Sequence, residues 1–245
     1  MMINRQDLSS AVDAFRPKAK KRYDEAVSSL LDLAWKYKDV AADFSWEADE
    51  ELYRQALAIC VGMTDGCLDD ARALIYDVIN DSLDYADEQV AFETALSENA
   101  MRDRMDFAGQ HLLEILAVWV TLAFKNNYTE GYTSVLISRY QRYPFLAPVW
   151  KDSKAPIPRF GSGFSFDIAG QLARIGGDLI NDAVRYAEWV DAMAEGALYY
   201  IMHRGSYFDC PECDAMCEVK IPIETPVSRP HPNCQCWPEY IFDDE

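Results

Sequence analysis

With 245 residues, half of them hydrophobic and 13% aromatic, the chain can hold one large domain or two modest ones and is too apolar for disorder. A formal net charge of -18, spread over both halves rather than held in a tail, sets the chain against DNA phosphate, so direct DNA binding is not expected. The N-terminus is polar and has no apolar core of a signal peptide; seven cysteines without one point to a reducing compartment, where clustered thiols serve metals more often than disulfides.

Apolar residues at Tyr23, Ala26, Val27, Leu30, Leu31, Ala34 and Tyr37 recur at helical spacing and predict a helix over 18–38, with Pro17 at its first turn. A shorter helix over 7–15 is expected before it. The basic cluster Arg16, Lys18, Lys20, Lys21 and Arg22 reads as a solvated helix face rather than a nucleic-acid site. A second helix is expected over 49–60 on Leu52, Ala56 and Cys60, with Gly62 and Gly66 punctuating a turn, and a third over 68–80. A short helix follows over 88–96. Ser97, with Glu98 behind it, reads as the N-cap of the longest element, which reaches about 124. Its apolar run over 112–124 contains Glu114 and is too short to span a bilayer, so it reads as a buried core helix and no membrane partner is expected. Asn126 and Asn127 end it, and Thr129 caps a helix to about 140.

Pro144, Pro148, Pro156, Pro158, Gly161 and Gly163 cannot continue a helix. The expected organisation is therefore a helical domain over 1–143, a Pro/Gly-rich linker over 144–163 and a C-terminal domain over 164–245. That last part opens on a long amphipathic stretch, 166–202, which Gly176-Gly177 would kink or split. Residues 218–224 and 237–242 alternate and are rich in β-formers, as strands of a small sheet would be. The fold class expected is mainly α: a helical N-terminal domain, then a long helix and a small cysteine-pinned α+β module.

Five of the seven cysteines fall in that module: Cys210, Cys213, Cys217, Cys234 and Cys236, with His231 beside the last pair. Four-coordinate zinc takes thiolate and imidazole ligands on short tethers, and a C-x-x-C turn supplies two of them at once. Six candidates compete for four places. Cys210, Cys213, Cys234 and Cys236 are the leading set, with His231 as the substitute and Cys217 as a spare. The alternative is that these thiols are simply buried or form disulfides.

The two halves, Cys210-Pro211-Glu212-Cys213 and Pro230-His231-Pro232-Asn233-Cys234-Gln235-Cys236, preceded by a long helix with Tyr199-Tyr200 and then Arg204-Gly205-Ser206, resemble a family. This is the C-terminal domain of the phage Mu F-like minor head proteins, a family that includes the SPP1-type head morphogenesis proteins. The likeness covers residues 166–242. It departs from the pattern at Gln235, where the family usually has Arg, and at Cys217, where many members carry a glycine turn. The resemblance implies a minor head protein of a phage or prophage, found in the virion and in the host cytoplasm during assembly. Its implied partners are the portal and capsid proteins, and its implied role lies in head assembly or in DNA packaging or ejection.

Catalytic patterns are weaker. His111-x-x-Glu114 is the reverse of the Glu-x-x-His of di-iron bundles and has no partner helix, so core packing is expected. Gly161-Ser162-Gly163 lacks the Lys-Ser/Thr of a nucleotide loop. Asp69, Asp70, Asp84, Asp87 and Glu88 read as solvated helix faces, and Cys60 and Cys67 as buried thiols. The competing functions are a phage-encoded nuclease or toxin using the C-terminal module, and a zinc-stabilised protein-interaction module.

Overall fold

The computed structural model describes residues 3–38, 44–142, 167–205, 209–229, 231 and 234–242, with the backbone alone at 99 and 139–142. Among them the protein is mainly helical, with seven α-helices and one three-stranded antiparallel sheet near the C-terminus. That is the fold class the sequence implies.

The first difference lies at the proline. Helix α1, Arg5–Trp35, is one element of 31 residues with Pro17 inside it, not two helices. The buried residues Ala11, Phe15, Ala19, Tyr23, Ala26 and Leu30 keep three- and four-residue spacing straight across the proline. An unbroken buried stripe outweighs the roughly 3 kcal/mol cost of an internal proline. Helix α2, Glu50–Asn80, likewise joins the two helices expected around Gly62 and Gly66. Leu52, Ala56, Cys60, Met63, Cys67, Ala71, Ile75 and Val78 form one buried stripe, and each interior glycine costs only about 1 kcal/mol. Gly66 makes room for a neighbour, since a Cβ there would lie 2.9 Å from Nε of Arg22.

Helix α3, Glu88–Ser97, is N-capped by Asp87, whose carboxylate accepts the N–H of Val90 at 2.9 Å. Asp87 is thus a solvent-exposed cap. Ser97 closes this helix instead of opening the next: its hydroxyl donates to the Thr94 carbonyl at 2.8 Å. A 3-10 turn, Glu98–Ala100, leads into α4, Met101–Lys125. By length and composition α4 would suffice to cross a bilayer, and 67% of its most apolar window is buried inside the protein. Asn127 takes a positive φ of 53° after it. The hydroxyl of Thr129 accepts the N–H of Tyr132 at 3.2 Å and caps α5, Glu130–Arg142. The Pro/Gly-rich segment, 144–163, lies outside the described residues.

Helix α6, Ile168–Ala194, is a single helix, and Gly176-Gly177 neither splits nor ends it. The pair serves packing: the Phe15 ring occupies the space a Cβ on Gly176 would need, and Val12 lies 3.2 Å from that of Gly177. The helix stops earlier than expected, at Gly196 with φ +92°, a conformation open to glycine. Residues Tyr199–His203 then form strand β1, not the end of a helix. After a short helix α7, Pro211–Met216, come β2, Lys220–Pro222, and β3, Trp237–Ile241. The order is β2-β1-β3, with Tyr200 opposite Ile221 on one side and Tyr240 on the other.

The chain divides into two compact units that interleave along the sequence. One comprises Met1–Lys18, Leu68–Asp103 and Ala173–Glu245; the other comprises Ala19–Cys67 and Arg104–Leu172. The first contains the sheet and α7. In the second, Trp46 donates from its indole to the Leu113 carbonyl at 2.8 Å, and Phe44 packs edge-on against Trp46 and Phe124.

Candidate metal centre

In the first unit, α6 is apolar on most of its surface but carries a buried polar row: Asp178, Asp182, Arg185, Glu188 and Asp191, spaced three or four residues apart. Each member holds a different segment. Asp178 and Asp182 receive the guanidinium of Arg229, with Nη1 to Asp178 at 2.7 Å. Nη2 of Arg185 donates to the carbonyls of Cys234 at 3.1 Å and Cys236. Glu188 accepts the N–H of Ile3 at 3.0 Å, and Asp191 those of Asp84 and Tyr85 at 3.1 and 2.9 Å. Burial alone would push the Asp182 carboxyl up and the Arg185 guanidinium down; Arg229 opposes the first, and the carbonyls give the second its donors' partners. The helix thereby fixes the backbone on which two of the cysteines ride.

The sheet supplies the other wall. Tyr200 and Met202 on β1 and Tyr240 on β3 face a core that includes Trp189 of α6, Ile223 and Val227. The Trp189 indole donates to the Ile223 carbonyl at 2.7 Å and closes the β2 turn onto the helix. Cys213, Cys217, Cys234 and Cys236 belong to this same core.

Cys210 precedes α7, and Pro211 takes its first position, where a missing N–H costs nothing. One turn on, Cys213 comes back beside it. Strand β3 begins directly after Cys236, and Gly205, two residues after β1, meets the chain at Gln235: a Cβ on Gly205 would collide with the Gln235 carbonyl. That close approach demands a glycine at 205.

The five residues expected from the sequence to ligate a metal are brought together. Cys210, Cys213 and His231 form one group, and Cys213, Cys234 and Cys236 another, with every pair of donor atoms inside a group within 4.8 Å. Cys213 Sγ lies 3.1 Å from His231 Nε2 and 3.8 Å from Cys234 Sγ. Two thiolates on one tetrahedral zinc, at Zn–S distances of about 2.3 Å, stand roughly 3.8 Å apart. No disulfide joins any two of the seven cysteines in this structure.

The backbone polarises some of these sulfurs. The N–H of Cys213, then that of Glu212, holds the Cys210 thiol below its usual range. For Cys236 burial acts upward, but the N–H of Gly205 and the surrounding thiols prevail and its thiol is lowered. Burial raises Cys213 and Cys234 and pushes Cys217 up to about 11. The arrangement can hold a soft divalent cation.

Other candidates resolve into packing. His111 is buried, stacks on Phe107, and lies with Nδ1 3.4 Å from Glu114 one turn away. Cys60 and Cys67 are buried, and burial pushes the Cys60 thiol up to about 12. The basic cluster is matched by acid: Arg16 with Asp13 at 3.6 Å, Lys18 with Asp70 at 3.9 Å, Lys21 with Glu25 at 3.7 Å, and Lys20 with Asp24. The sequence reading missed the polar row of α6 and the place of His203, whose ring lies between Glu218 and Glu239. The signal for the row was there, since Asp178, Asp182, Arg185 and Glu188 repeat at helical spacing, but a solvated face has the same pattern.

No family model, no curated protein and no solved structure matches the chain.

Proposed function

We propose that this chain is a structural protein of the phage head, a minor component that contacts the portal, and that zinc staples its C-terminal module. One observation carries the reading: the two halves of the motif, Cys210 to Cys213 and His231 to Cys236, separated by a strand and a turn, meet in one cluster of donors. A motif shared by chance has no reason to close in space. The cluster also has the character of a structural rather than a catalytic centre. Cys213, Cys234 and Cys236 are each under 5% exposed, so substrate has little access to them. A module with a three-stranded sheet and a six-residue helix has little core of its own, and a bound metal supplies folding free energy that such a module lacks.

The test is association. The purified chain should co-sediment with procapsids and be retained by immobilised portal protein, and a Cys213→Ser variant should lose that retention. A chain that binds neither portal nor procapsid sinks the head-protein reading. Reduced protein that carries no zinc sinks the stapled-module reading.

A further inference from the structure

The leading ligand set drawn from the sequence treats the cluster as one four-coordinate site. The donor atoms do not fall that way. They form two groups of three, and among the described residues no fourth donor joins either group within 4.8 Å. A tetrahedral ion needs all six distances between its donors near 3.8 Å. The single atom common to both groups is Cys213 Sγ. A thiolate sulfur bonded to one cation keeps lone pairs for a second.

We propose that the module holds two zinc-class ions bridged by the Cys213 thiolate, one on Cys210 and His231, the other on Cys234 and Cys236. The inference rests on the stapled-module reading and deepens it.

Cys217, which the single-site reading leaves over, is buried, and its thiol meets that of Cys236. It follows α7 directly as its C-cap, in extended backbone, and its N–H donates to the Cys213 carbonyl at 2.9 Å. Cys217 therefore stands beside Cys236 without being one of the second ion's three ligands, since it is not within 4.8 Å of all of them. Two observations support the pair of ions. The first is His231, whose Nε2 sits 3.1 Å from Cys213 Sγ while Cys234 Sγ lies 3.8 Å from the same sulfur. Cys213 therefore has a close donor from each group. Each ion thus has three protein ligands, with Cys213 common to both. The second observation is charge. The four liganding thiolates around one divalent cation leave two negative charges in a core; around two cations they leave none. One buried cation faces that side: Arg185, whose guanidinium holds the carbonyls of Cys234 and Cys236.

The measurement is stoichiometry on the full chain, purified reduced and metal-free, then reloaded with zinc and weighed by native mass spectrometry. Two ions per chain are expected, falling to one in Cys236→Ser, which removes a ligand of the second ion alone. Loading with ¹¹³Cd gives a second reading that needs no variant: two cadmium resonances split by coupling through the shared sulfur. One ion per chain in the parent overturns the two-ion site and leaves the stapled module standing. No bound ion overturns both. Two ions whose cadmium resonances show no mutual splitting overturn the Cys213 bridge.

Discussion

Arg229 donates through Nη1 to Asp178 at 2.7 Å, and the two side chains are 2% and 4% exposed. This is a buried ion pair, and Asp182 joins it. Such a group is worth little net of its desolvation, but breaking it strands charge in the core. Arg229→Ala should therefore lower the unfolding free energy by about 3–5 kcal/mol in urea titration. Replacing all three members together, with Asp178→Leu, Asp182→Leu and Arg229→Met, should recover most of that loss. If the single and triple variants are equally unstable, the stranded charge is not the cause.

The Phe15 ring fills the space above Gly176, whereas Gly177 meets only a methyl of Val12 at 3.2 Å. Both glycines stand inside α6, where alanine gains up to about 1 kcal/mol in propensity. Gly176→Ala must displace a ring that is 0% exposed, and should cost about 1–3 kcal/mol as overpacking does. Gly177→Ala should lie within about 1 kcal/mol of the parent, since one methyl can give way. Thermal melts of the pair check this directly. Equal effects at the two positions would mean the ring is not what sets the requirement.

That glycine pair also shows what the sequence could and could not convey. Periodicity placed α1 to α6, because buried stripes are local and dense, and missed the six-residue α7, which is too short to show a period. Where it failed, a local breaker was weighed above the stripe: Pro17 inside α1, Gly62 and Gly66 inside α2, and Gly176-Gly177 inside α6. A glycine signals either a turn or a close neighbour, and the neighbour here, Phe15, lies far off in sequence. The strand Tyr199–His203 was hidden because Tyr-Tyr-Ile-Met continues an apolar run out of a helix, and only Gly196 marks the change. The ligands were legible as residue types with short tethers. Their grouping was not, since it depends on where Arg185 and Gly205 hold the returning chain.

His203 bridges two carboxylates, with Nδ1 3.0 Å from Glu218 and Nε2 2.6 Å from Glu239. Burial works against its charged form, but the hydrogen bonds to Glu239 and Glu218 outweigh it and raise the imidazole above its ordinary 6.5. A folded value above the unfolded one means the stabilisation is complete below about pH 6.5 and is lost as pH rises through the folded value. The bridge joins β1 to β3, so its loss loosens the sheet. Stability of the parent should decline across that window, and His203→Gln should flatten the decline. The difference between the two chains' urea midpoints at pH 6 and pH 8.5 is the measurement. Identical pH profiles would mean that the bridge contributes no stability.

Gly205 carries the last expectation. Its N–H is directed at the Cys236 sulfur and helps keep that thiol below its usual range, while its bare α-carbon lets the Gln235 carbonyl come close. A Cβ would force the two strands of backbone apart and take the N–H away with them. The ligand itself would remain in Gly205→Ala; its hydrogen-bond support would not. Losing such support typically weakens metal affinity about 10–100-fold, because the thiolate becomes harder to form and to orient. Competition against a chromophoric chelator should show a weakening of that size, with far-UV circular dichroism unchanged because the helices lie elsewhere. Lowering the pH should release metal from the variant earlier than from the parent, since its Cys236 thiol holds its proton to higher pH. Unaltered affinity in a folded Gly205→Ala chain would show that the approach of Gly205 to Gln235 is packing alone and leaves the sulfur's electronics untouched.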